Sequence, residues 1–258
     1  MMRLAVLSDI HGNWHAYEAV LADLESVGEI DVIWYLGDYA AFGPHPAECI
    51  RQVQAHQKAL GEDKVKVIGG NTDRYLVTGE RFVMPPAADE QAFRRLHRAR
   101  TTTDALLNWN LEQLTWEDYQ FLASTLGKET SLKVPGYGYV IGYHAVPGND
   151  EAMLRPDTPE EEAADYLLDR EGILAIGGHI HVQMDRQLGR WRVINVGSIG
   201  MSFDMPGKAQ WGLFTFENDH VTVDLRAIDY DVDAALKDMQ ATDYPAPEWA
   251  ARRLREGR

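Results

Sequence analysis

Five short apolar segments of this sequence each run into a cluster of glycine, aspartate, asparagine or histidine. The segments are residues 3–8, 31–36, 64–68, 138–143 and 173–176. The clusters that follow them are Asp9-x-His11, Gly37-Asp38, Gly70-Asn71, His144 and Gly178-His179-x-His181. Apolar runs that alternate with helix-spaced segments, here about 14–27 and 46–60, are typical of α/β proteins. Because ligands bind at the carboxyl ends of strands in such sheets, we expect the clusters to converge on one rim.

The remainder of the chain predicts a helical insert and a strand-rich end. Residues from about 80 to 127 begin near Pro85-Pro86 and continue with helix-spaced leucines, which favours a helical cap. A helix is expected at about 159–170. Strands are expected at 190–195, 211–216 and 220–228, followed by a partly helical tail at 231–258. We expect residues 1–258 to form a single domain, since this length suits one large domain.

Composition and charge restrict the possible functions. The one cysteine, Cys49, excludes an internal disulfide and a cysteine-based metal site. No segment approaches the roughly 20 apolar residues of a membrane helix, and residues 1–7 are too short for a signal peptide, so we expect a cytoplasmic protein. The formal net charge of −15 argues against stable binding of nucleic acid, which needs a basic surface. A small anionic substrate remains possible, because bound cations can invert the local charge.

The predicted rim carries seven side chains of metal-ligand type. They are Asp9, His11, Asp38, Asn71, His144, His179 and His181. Imidazole combined with carboxylate and amide oxygens suits Mn²⁺, Fe, Zn²⁺, Co²⁺ or Ni²⁺ better than Ca²⁺ or Mg²⁺ alone, and we place Mn²⁺ first. Two such cations about 3.5–4 Å apart form a clamp for phosphoryl transfer. The ordered set predicts a site for two divalent cations.

The same ordered set resembles the calcineurin-like metallophosphoesterase superfamily. The blocks that carry the resemblance are D-I-H-G-N (9–13), G-D (37–38), G-N-T-D (70–73), H (144) and G-H-I-H (178–181). The segments A-F-G-P-H-P (41–46), H-A-V-P (144–147) and N-V-G-S-I-G (195–200) resemble a bacterial and archaeal branch. That branch includes small phosphatases, phosphodiesterases and asymmetric dinucleoside tetraphosphate hydrolases. The resemblance implies a four-layer αββα sandwich of two mixed β-sheets, here with the helical cap inserted.

The resemblance also implies a role for each ligand. Asp9, His11 and His181 hold the first metal, and Asn71, His144 and His179 hold the second. Asp38 bridges both. The nucleophile is a metal-bridging hydroxide, and the metals together with Asn71 stabilise charge on the phosphoryl oxygens. Asp38, Asn71 and His144 therefore count as catalytic residues as well as ligands.

One position departs from the pattern that the resemblance sets. Many members have a histidine after the asparagine, and it is held to protonate the leaving group, whereas this chain has Thr72. Without that acid, which is worth roughly 10²–10⁴-fold, we expect a preference for good leaving groups such as nucleotide phosphoanhydrides or aryl esters. His45 is a candidate replacement acid. Asp73 is expected to orient a neighbouring ligand.

Two further residues are candidates for substrate binding. Asn13 lies beside the first ligand block and is expected either to contact phosphate or to hold its own turn. Trp109 is expected either to pack within the cap or to line a nucleobase pocket. Asn195, Gly197 and Ser198 either shape the rim or form an ordinary turn after a strand. His15 has no place in the pattern, and a packing role is expected for it.

Three functions remain open at this point. The first is dinuclear-metal hydrolysis of phosphoesters or phosphoanhydrides, by a phosphodiesterase, a phosphatase or a dinucleoside tetraphosphate hydrolase. The second is a non-catalytic protein-binding scaffold on the same fold, which the complete ligand set disfavours. The third is a DNA nuclease, which the negative charge and the modest length disfavour. The expected partner is a small phosphorylated substrate, with a nucleotide as one candidate, and the sequence leaves the oligomeric state open.

Overall fold

The computed structural model describes residues 1–257. Within that range the strands are β1 (Met2–Leu7), β2 (Val32–Tyr35), β3 (Val65–Val67), β4 (Thr130–Val134), β5 (Gly138–Gly142), β6 (Leu174–Gly177), β7 (Gln183–Leu188), β8 (Trp191–Val196), β9 (Lys208–Glu217) and β10 (His220–Asp229). The helices are α1 (Trp14–Ser26), α2 (Pro46–Leu60), α3 (Asn71–Thr78), α4 (Glu90–Glu112), α5 (Trp116–Thr125), α6 (Glu160–Asp165), α7 (Val232–Ala241) and α8 (Pro247–Glu256).

The strands form two mixed sheets of five strands each, which confirms the predicted fold class. The first sheet has the order β10-β9-β1-β2-β3, and the second has the order β4-β5-β6-β8-β7. In the first sheet β1 pairs in parallel with β2 and antiparallel with β9. In the second sheet β6 pairs in parallel with both β5 and β8. The parallel strands of both sheets run towards the same edge of the molecule, where the ligand clusters follow them.

Alternation along β1 shows how the layers are stacked. Leu4 and Val6 pack with Trp34, Ile176 and other residues of both sheets, so this face of β1 belongs to the interior between the sheets. Ala5 and Leu7 pack instead with residues of α1 and α2 on the outer face. Since successive residues of a strand point to opposite faces, β1 packs against the second sheet on one face and against the outer helices on the other. This arrangement places helices outside and the two sheets inside.

Helices α4 and α5 occupy the segment in which a cap is expected. The second half of α4 buries Leu106 and Leu107, whereas its first half lies largely exposed. Helix α5 begins at the capping residue Thr115, whose hydroxyl accepts the backbone N–H of Asp118. Whether this segment acts as a separate cap stays a prediction. None of the helices in residues 1–257 is long and apolar enough to cross a membrane.

The helix expected at about 159–170 is shorter in the structure. Helix α6 ends at Asp165, and the next residues continue as turns. The backbone N–H groups of Leu167 and Leu168 bond to the carbonyls three residues earlier, at 3.0 and 3.4 Å. These tighter bonds replace the α-helical pattern over the last turn. The prediction of a helix through residue 170 is wrong in its second half.

Candidate metal centre

The seven predicted ligand residues lie together at the edge where parallel strands of both sheets end. Asp9 and His11 follow β1, Asp38 follows β2, and Asn71 begins α3 directly after β3. On the second sheet, His144 follows β5, while His179 and His181 follow β6. Six of the seven are buried, and His179 is partly exposed. The site is therefore built by both sheets and opens to solvent on the side of His179.

One group of ligands consists of Asp9, His11 and His181, whose ligand atoms lie within 4.8 Å of one another. The Nε2 atoms of His11 and His181 are 3.0 Å apart. Asp9 Oδ1 lies 3.2 Å from His181 Nε2 and 3.8 Å from His11 Nε2. These three side chains present two nitrogens and one oxygen to a common point.

A second group consists of Asp38, His144 and His179, with Asn71 between the two histidines. Asn71 Oδ1 lies 3.0 Å from His144 Nε2 and 3.0 Å from His179 Nδ1. Asp38 Oδ2 lies 3.4 Å from His144 Nε2 and 3.6 Å from His11 Nε2. The carboxylate of Asp38 therefore stands between the two groups and is within reach of both.

The hydrogen bonds of the histidines show which nitrogen faces the centre. His144 Nδ1 donates to Leu36 O at 2.7 Å, and His181 Nδ1 donates to Met201 O at 2.8 Å. His179 Nε2 donates to Glu151 O at 3.2 Å. A carbonyl oxygen only accepts hydrogen bonds, so the ring nitrogen that faces it must carry the proton. When the ring is neutral, its other nitrogen therefore presents a lone pair to the centre. Metal-binding histidines in proteins have this arrangement.

The histidine nitrogens that face the centre lie beside oxygen atoms that also accept hydrogen bonds. This arrangement bears on whether cations fit the site. His144 Nε2 faces the oxygens of Asn71 and Asp38, and His181 Nε2 faces that of Asp9. Within residues 1–257, Asp9 Oδ1 is buried without a hydrogen-bond partner. Buried acceptors without donors are unfavourable unless a cation lies between them. The residues present fit divalent cations of the type that prefer nitrogen and oxygen ligands.

The pKa values of the side chains in the centre also show that its carboxylates favour a positive charge there. Burial opposes a charge on His144, but the carboxylates of Asp38 and Asp9 outweigh it and raise the pKa of His144 to about 10. Burial also opposes ionisation of Asp38, yet His144 and His11 hold the pKa of this carboxyl well below its ordinary value. Burial lowers the pKa of His11 and of His179 to about 4. These two rings are therefore neutral ligands at neutral pH.

The backbone at the ligands adopts a conformation that few residues other than glycine take. Asp9, His11, Asp38, His179 and His181 have φ angles of 57°, 51°, 57°, 71° and 56°. This left-handed region costs roughly 1–2 kcal/mol for a residue with a Cβ. Such residues gather at functional sites, where the surrounding structure enforces them. The turns after β1, β2 and β6 are thus shaped to aim side chains at the centre.

Two glycines let the backbone approach the ligands closely. A Cβ on Gly70 would overlap Asp38 Oδ1, and a Cβ on Gly178 would overlap Ser8 Oγ and Asp9 Oδ2. Neither position has room for a side chain without displacing a ligand. The G-N and G-H pairs of the sequence therefore place each ligand directly beside a glycine that the packing requires.

Asp73 and Thr72 both contact the Asp38 segment. The Asp73 carboxylate accepts the backbone N–H groups of Asp38 at 2.7 Å, Tyr39 at 3.1 Å and Gly70 at 2.9 Å. The backbone N–H of Thr72 donates to Asp38 Oδ1 at 2.9 Å. Thr72 Oγ1 is buried and has no hydrogen-bond partner within residues 1–257. Asp38 is held both through its backbone and through its side chain.

The segment after β8 holds the backbone of Asp9. Ser198 Oγ donates to Asp9 O at 2.9 Å, and Gly200 N–H donates to the same oxygen at 2.9 Å. The amide of Asn195 donates to Gly178 O and accepts the N–H of Gly197 at 3.0 Å. These contacts join the turn after β8 to the turns that carry Asp9 and His179.

The structure does not bring the remaining predicted site residues into the metal-ligand groups. Asn13 caps α1, and its amide donates to Gly200 O at 2.9 Å and to Tyr230 Oη at 3.2 Å. Trp109 packs edge-on against Tyr244 with ring centroids 5.2 Å apart. His45 Nε2 lies 2.9 Å from Asp238 Oδ2. Roles for these three in substrate binding or proton transfer stay predictions.

An aromatic wall beside the centre was missed by the sequence reasoning. The ring of Phe42 lies 5.2 Å from that of His11, and the ring of Phe203 lies 4.6 Å from that of His181. Arg253 of α8 covers Phe203 and Trp249. The phenylalanine in A-F-G-P-H-P could have indicated an aromatic side chain near the centre, but nothing in the sequence predicted that α8 lies beside it.

Comparison with known proteins identifies the family. The calcineurin-like phosphoesterase family matches residues 2–183. An uncharacterised protein of Methanocaldococcus jannaschii is 27% identical over 271 residues, covering 99% of this chain and 98% of that protein. A symmetrical bis(5'-nucleosyl)-tetraphosphatase of Klebsiella pneumoniae is 33% identical over 110 residues, covering 42% of this chain and 36% of that protein.

Two solved structures share the fold along nearly their whole length. A metallophosphoesterase from Sphaerobacter thermophilus has a TM-score of 0.70 at 24% identity, covering 98% of both chains. A hypothetical protein from Pyrococcus horikoshii has a TM-score of 0.80 at 24% identity, covering 100% of this chain and 99% of that one. With the family match extending over most of its length, this chain belongs to the calcineurin-like phosphoesterase family.

Proposed function

We propose that the protein hydrolyses phosphoesters or phosphoanhydrides with the help of two divalent cations. The observation that carries the proposal is the orientation of His144, His179 and His181. Each ring donates its proton to a backbone carbonyl and turns its other nitrogen towards carboxylate or amide oxygens. Buried imidazole nitrogens gathered with carboxylate and amide oxygens are the ligands that such cations prefer, and the family to which the chain belongs supports this interpretation.

The geometry supports a division of labour among the ligands. Asp9, His11 and His181 would hold one cation, and Asn71, His144 and His179 would hold the other. Asp38 would contact both, because its carboxylate lies between the two groups. Bound in this way, two cations act as Lewis acids towards phosphoryl oxygens and lower the pKa of water. The ligand set favours Mn²⁺, with Fe, Ni²⁺, Co²⁺ and Zn²⁺ as alternatives.

The residue at position 72 bears on the class of substrate. A threonine hydroxyl is too weak an acid to protonate a leaving group at neutral pH, and the buried Oγ1 of Thr72 faces no general base. Substrates that need little protonation of the leaving group are therefore favoured, such as phosphoanhydrides and aryl diesters. The partial similarity to a bis(5'-nucleosyl)-tetraphosphatase supports a nucleotide anhydride as the first substrate to test.

The charge of the molecule favours a small substrate. A formal net charge of −15 disfavours the long anionic surface of a nucleic acid. Helices α4 and α5 lie in the segment expected to form the cap, and we propose that they contribute to the choice of substrate. This would be tested by shortening α4 within residues 90–100 and measuring which substrates lose activity.

The proposal is tested by hydrolysis assays with added metal. The metal-stripped protein is supplied with Mn²⁺, Ni²⁺, Co²⁺, Zn²⁺ or Mg²⁺. The substrates are diadenosine tetraphosphate, bis-p-nitrophenyl phosphate, p-nitrophenyl phosphate and a 2',3'-cyclic nucleotide. We expect turnover that a chelator abolishes and that is fastest on the anhydride or the aryl diester.

The Asp38→Asn variant is the decisive comparison, with Asp229→Asn as its matched control. Asp229→Asn makes the same chemical change at an exposed position, where the carboxylate forms an ion pair with Lys208. We expect Asp38→Asn to lose at least about 10²-fold in activity, comparable to the loss of one preorganised electrostatic group. If folded wild-type protein with bound metal hydrolyses none of the substrates, the proposal is wrong and a non-catalytic scaffold becomes the better interpretation.

A further inference from the structure

We propose that His15, His45 and Asp238 form a third site for a divalent cation, separate from the dinuclear centre. The Nε2 atoms of both histidines point at the same carboxylate oxygen, Asp238 Oδ2, at 2.7 and 2.9 Å. The imidazole rings are nearly perpendicular, with centroids 5.9 Å apart. The ligand atoms of all three residues lie within 4.8 Å of one another. No residue of this cluster belongs to the seven ligands described above.

The three residues come from three separate elements of the fold. His15 lies in the first turn of α1, His45 directly precedes α2, and Asp238 lies in α7. Their convergence does not follow from closeness in sequence, since the packing of α7 brings Asp238 to the two histidines. Ligands mounted on helices and at a helix start keep a defined geometry, which a metal site requires.

The chemistry of the cluster suits a cation that prefers nitrogen. Two imidazoles and one carboxylate form a common ligand set for Zn²⁺, Ni²⁺, Co²⁺ and Fe, at metal–ligand distances of about 2.0–2.2 Å. The side chains are 24%, 28% and 36% exposed. Water can therefore complete the coordination shell, and a cation can enter without opening the fold. Modest rotation of the side chains would separate the three ligand atoms enough to surround an ion.

A cation at this site would act on the wall of the dinuclear centre. His45 belongs to the same turn as Phe42, whose ring contacts both His11 and Trp249, with centroids 5.2 and 5.4 Å apart. Residues of α7 and α8 line a cavity that reaches His11. By tying α7 to α1 and to the turn before α2, the cation would fix the C-terminal helices beside the centre.

The experiment measures bound Zn²⁺ per chain in the full-length protein at a free Zn²⁺ concentration held by a competing chelator. Wild type is compared with His15→Ala and Asp238→Ala. His220→Ala, which removes an exposed histidine outside every cluster, is the matched control. We expect each cluster variant to bind one equivalent less than wild type, and the control to bind the same amount. Equal stoichiometry in wild type and both folded cluster variants would overturn the proposal.

The position of the ion is read independently from crystals. Crystals of wild type grown with Zn²⁺ should show an anomalous peak between the Nε2 atoms of His15 and His45. The peak should be absent from His15→Ala and present in His220→Ala. A wild-type crystal with anomalous peaks at the dinuclear centre alone would overturn the third site while leaving the dinuclear centre intact. The two sites are thus tested separately.

Discussion

The carboxylate of Asp73 holds the backbone of Asp38, with Oδ2 accepting the Asp38 N–H at 2.7 Å. The same carboxylate accepts two further backbone N–H groups, so it fixes the turn that presents Asp38, the side chain proposed to contact both cations. We expect Asp73→Asn to lower metal affinity by about 10–100-fold, the usual effect of losing a group that orients a ligand. Metal titration of the purified variant measures it. Wild-type affinity in a folded variant would exclude this positioning role.

Placing a histidine at position 72 should change the choice of leaving group. Thr72 stands beside Asn71 at the start of α3, and its backbone N–H contacts Asp38. We expect Thr72→His to raise the rate on alkyl phosphodiesters relative to aryl phosphodiesters by about 10²-fold, the lower end of the benefit from a general acid. The ratio of the two rates is the readout. Thr72→Ala is the control and should leave the ratio at the wild-type value, and an unchanged ratio in metal-loaded Thr72→His would contradict the prediction.

Removing the metals should destabilise the protein. The ligand atoms converge only in the folded state, so bound cations stabilise that state alone. A ligand present at 100 times its Kd stabilises the folded state by about 2.7 kcal/mol. For a chain of this size we expect Tm to fall by about 5–10 °C on chelation. Asp229→Asn should show the full fall and Asp38→Asn a smaller one, whereas equal Tm values with and without chelator would contradict this account.

Stability at acid pH should depend on Asp23, which is not one of the candidate ligands. Asp23 accepts bonds from Arg226 at 2.7 and 2.9 Å and from Trp211 Nε1 at 2.9 Å. The bond from Arg226, despite the opposing effect of burial, lowers the pKa of Asp23 below its ordinary value of 3.8. The folded state thus binds fewer protons, so this contribution is present above pH 3.8 and is lost as the pH falls through the lowered pKa.

The matching experiment is urea unfolding of wild type and Asp23→Asn across the acid range. We expect the variant to be about 1–2 kcal/mol less stable at neutral pH, the scale of a hydrogen bond to a charged group. The difference should begin to shrink as the pH falls through 3.8, where Asp23 of the unfolded chain takes up a proton, and should shrink further as the folded state takes it up as well. Asp224→Asn, which removes the other carboxylate paired with Arg226 at a more exposed position, is the control and should cost less. A difference that is constant with pH would contradict the linkage to Asp23.

The sequence predicted which residues gather at the rim, because their types are those that bind metals. Aspartate, asparagine and histidine after apolar runs identify both the strand ends and the chemistry. The groups that orient the histidines could not be predicted, because they are the carbonyls of Leu36, Met201 and Glu151. Every residue has a carbonyl, so residue identity carries no signal for this role.

The elements that the sequence missed lie at the edges or directly at the site. Strands β4 and β7 are the two edge strands of the second sheet, and their polar residues alternate with few apolar ones. Half-exposed strands of this kind lack the apolar run by which buried strands are recognised. Helix α3 was not predicted, and its short first turn is closed by Asp73, whose carboxylate accepts the backbone N–H of Gly70.

The order of strands in the first sheet has a consequence for fragments of the chain. All seven candidate ligands lie between residues 9 and 181, within the part that the family match covers. Yet β1, which the first two candidate ligands follow, is completed on one side by β9 at Lys208–Glu217. A fragment that stops at residue 183 would contain every ligand and still leave β1 as an unpaired apolar edge, open to aggregation. During synthesis, β1 is made first, but its pairing in the sheet is complete only after β9 has been made.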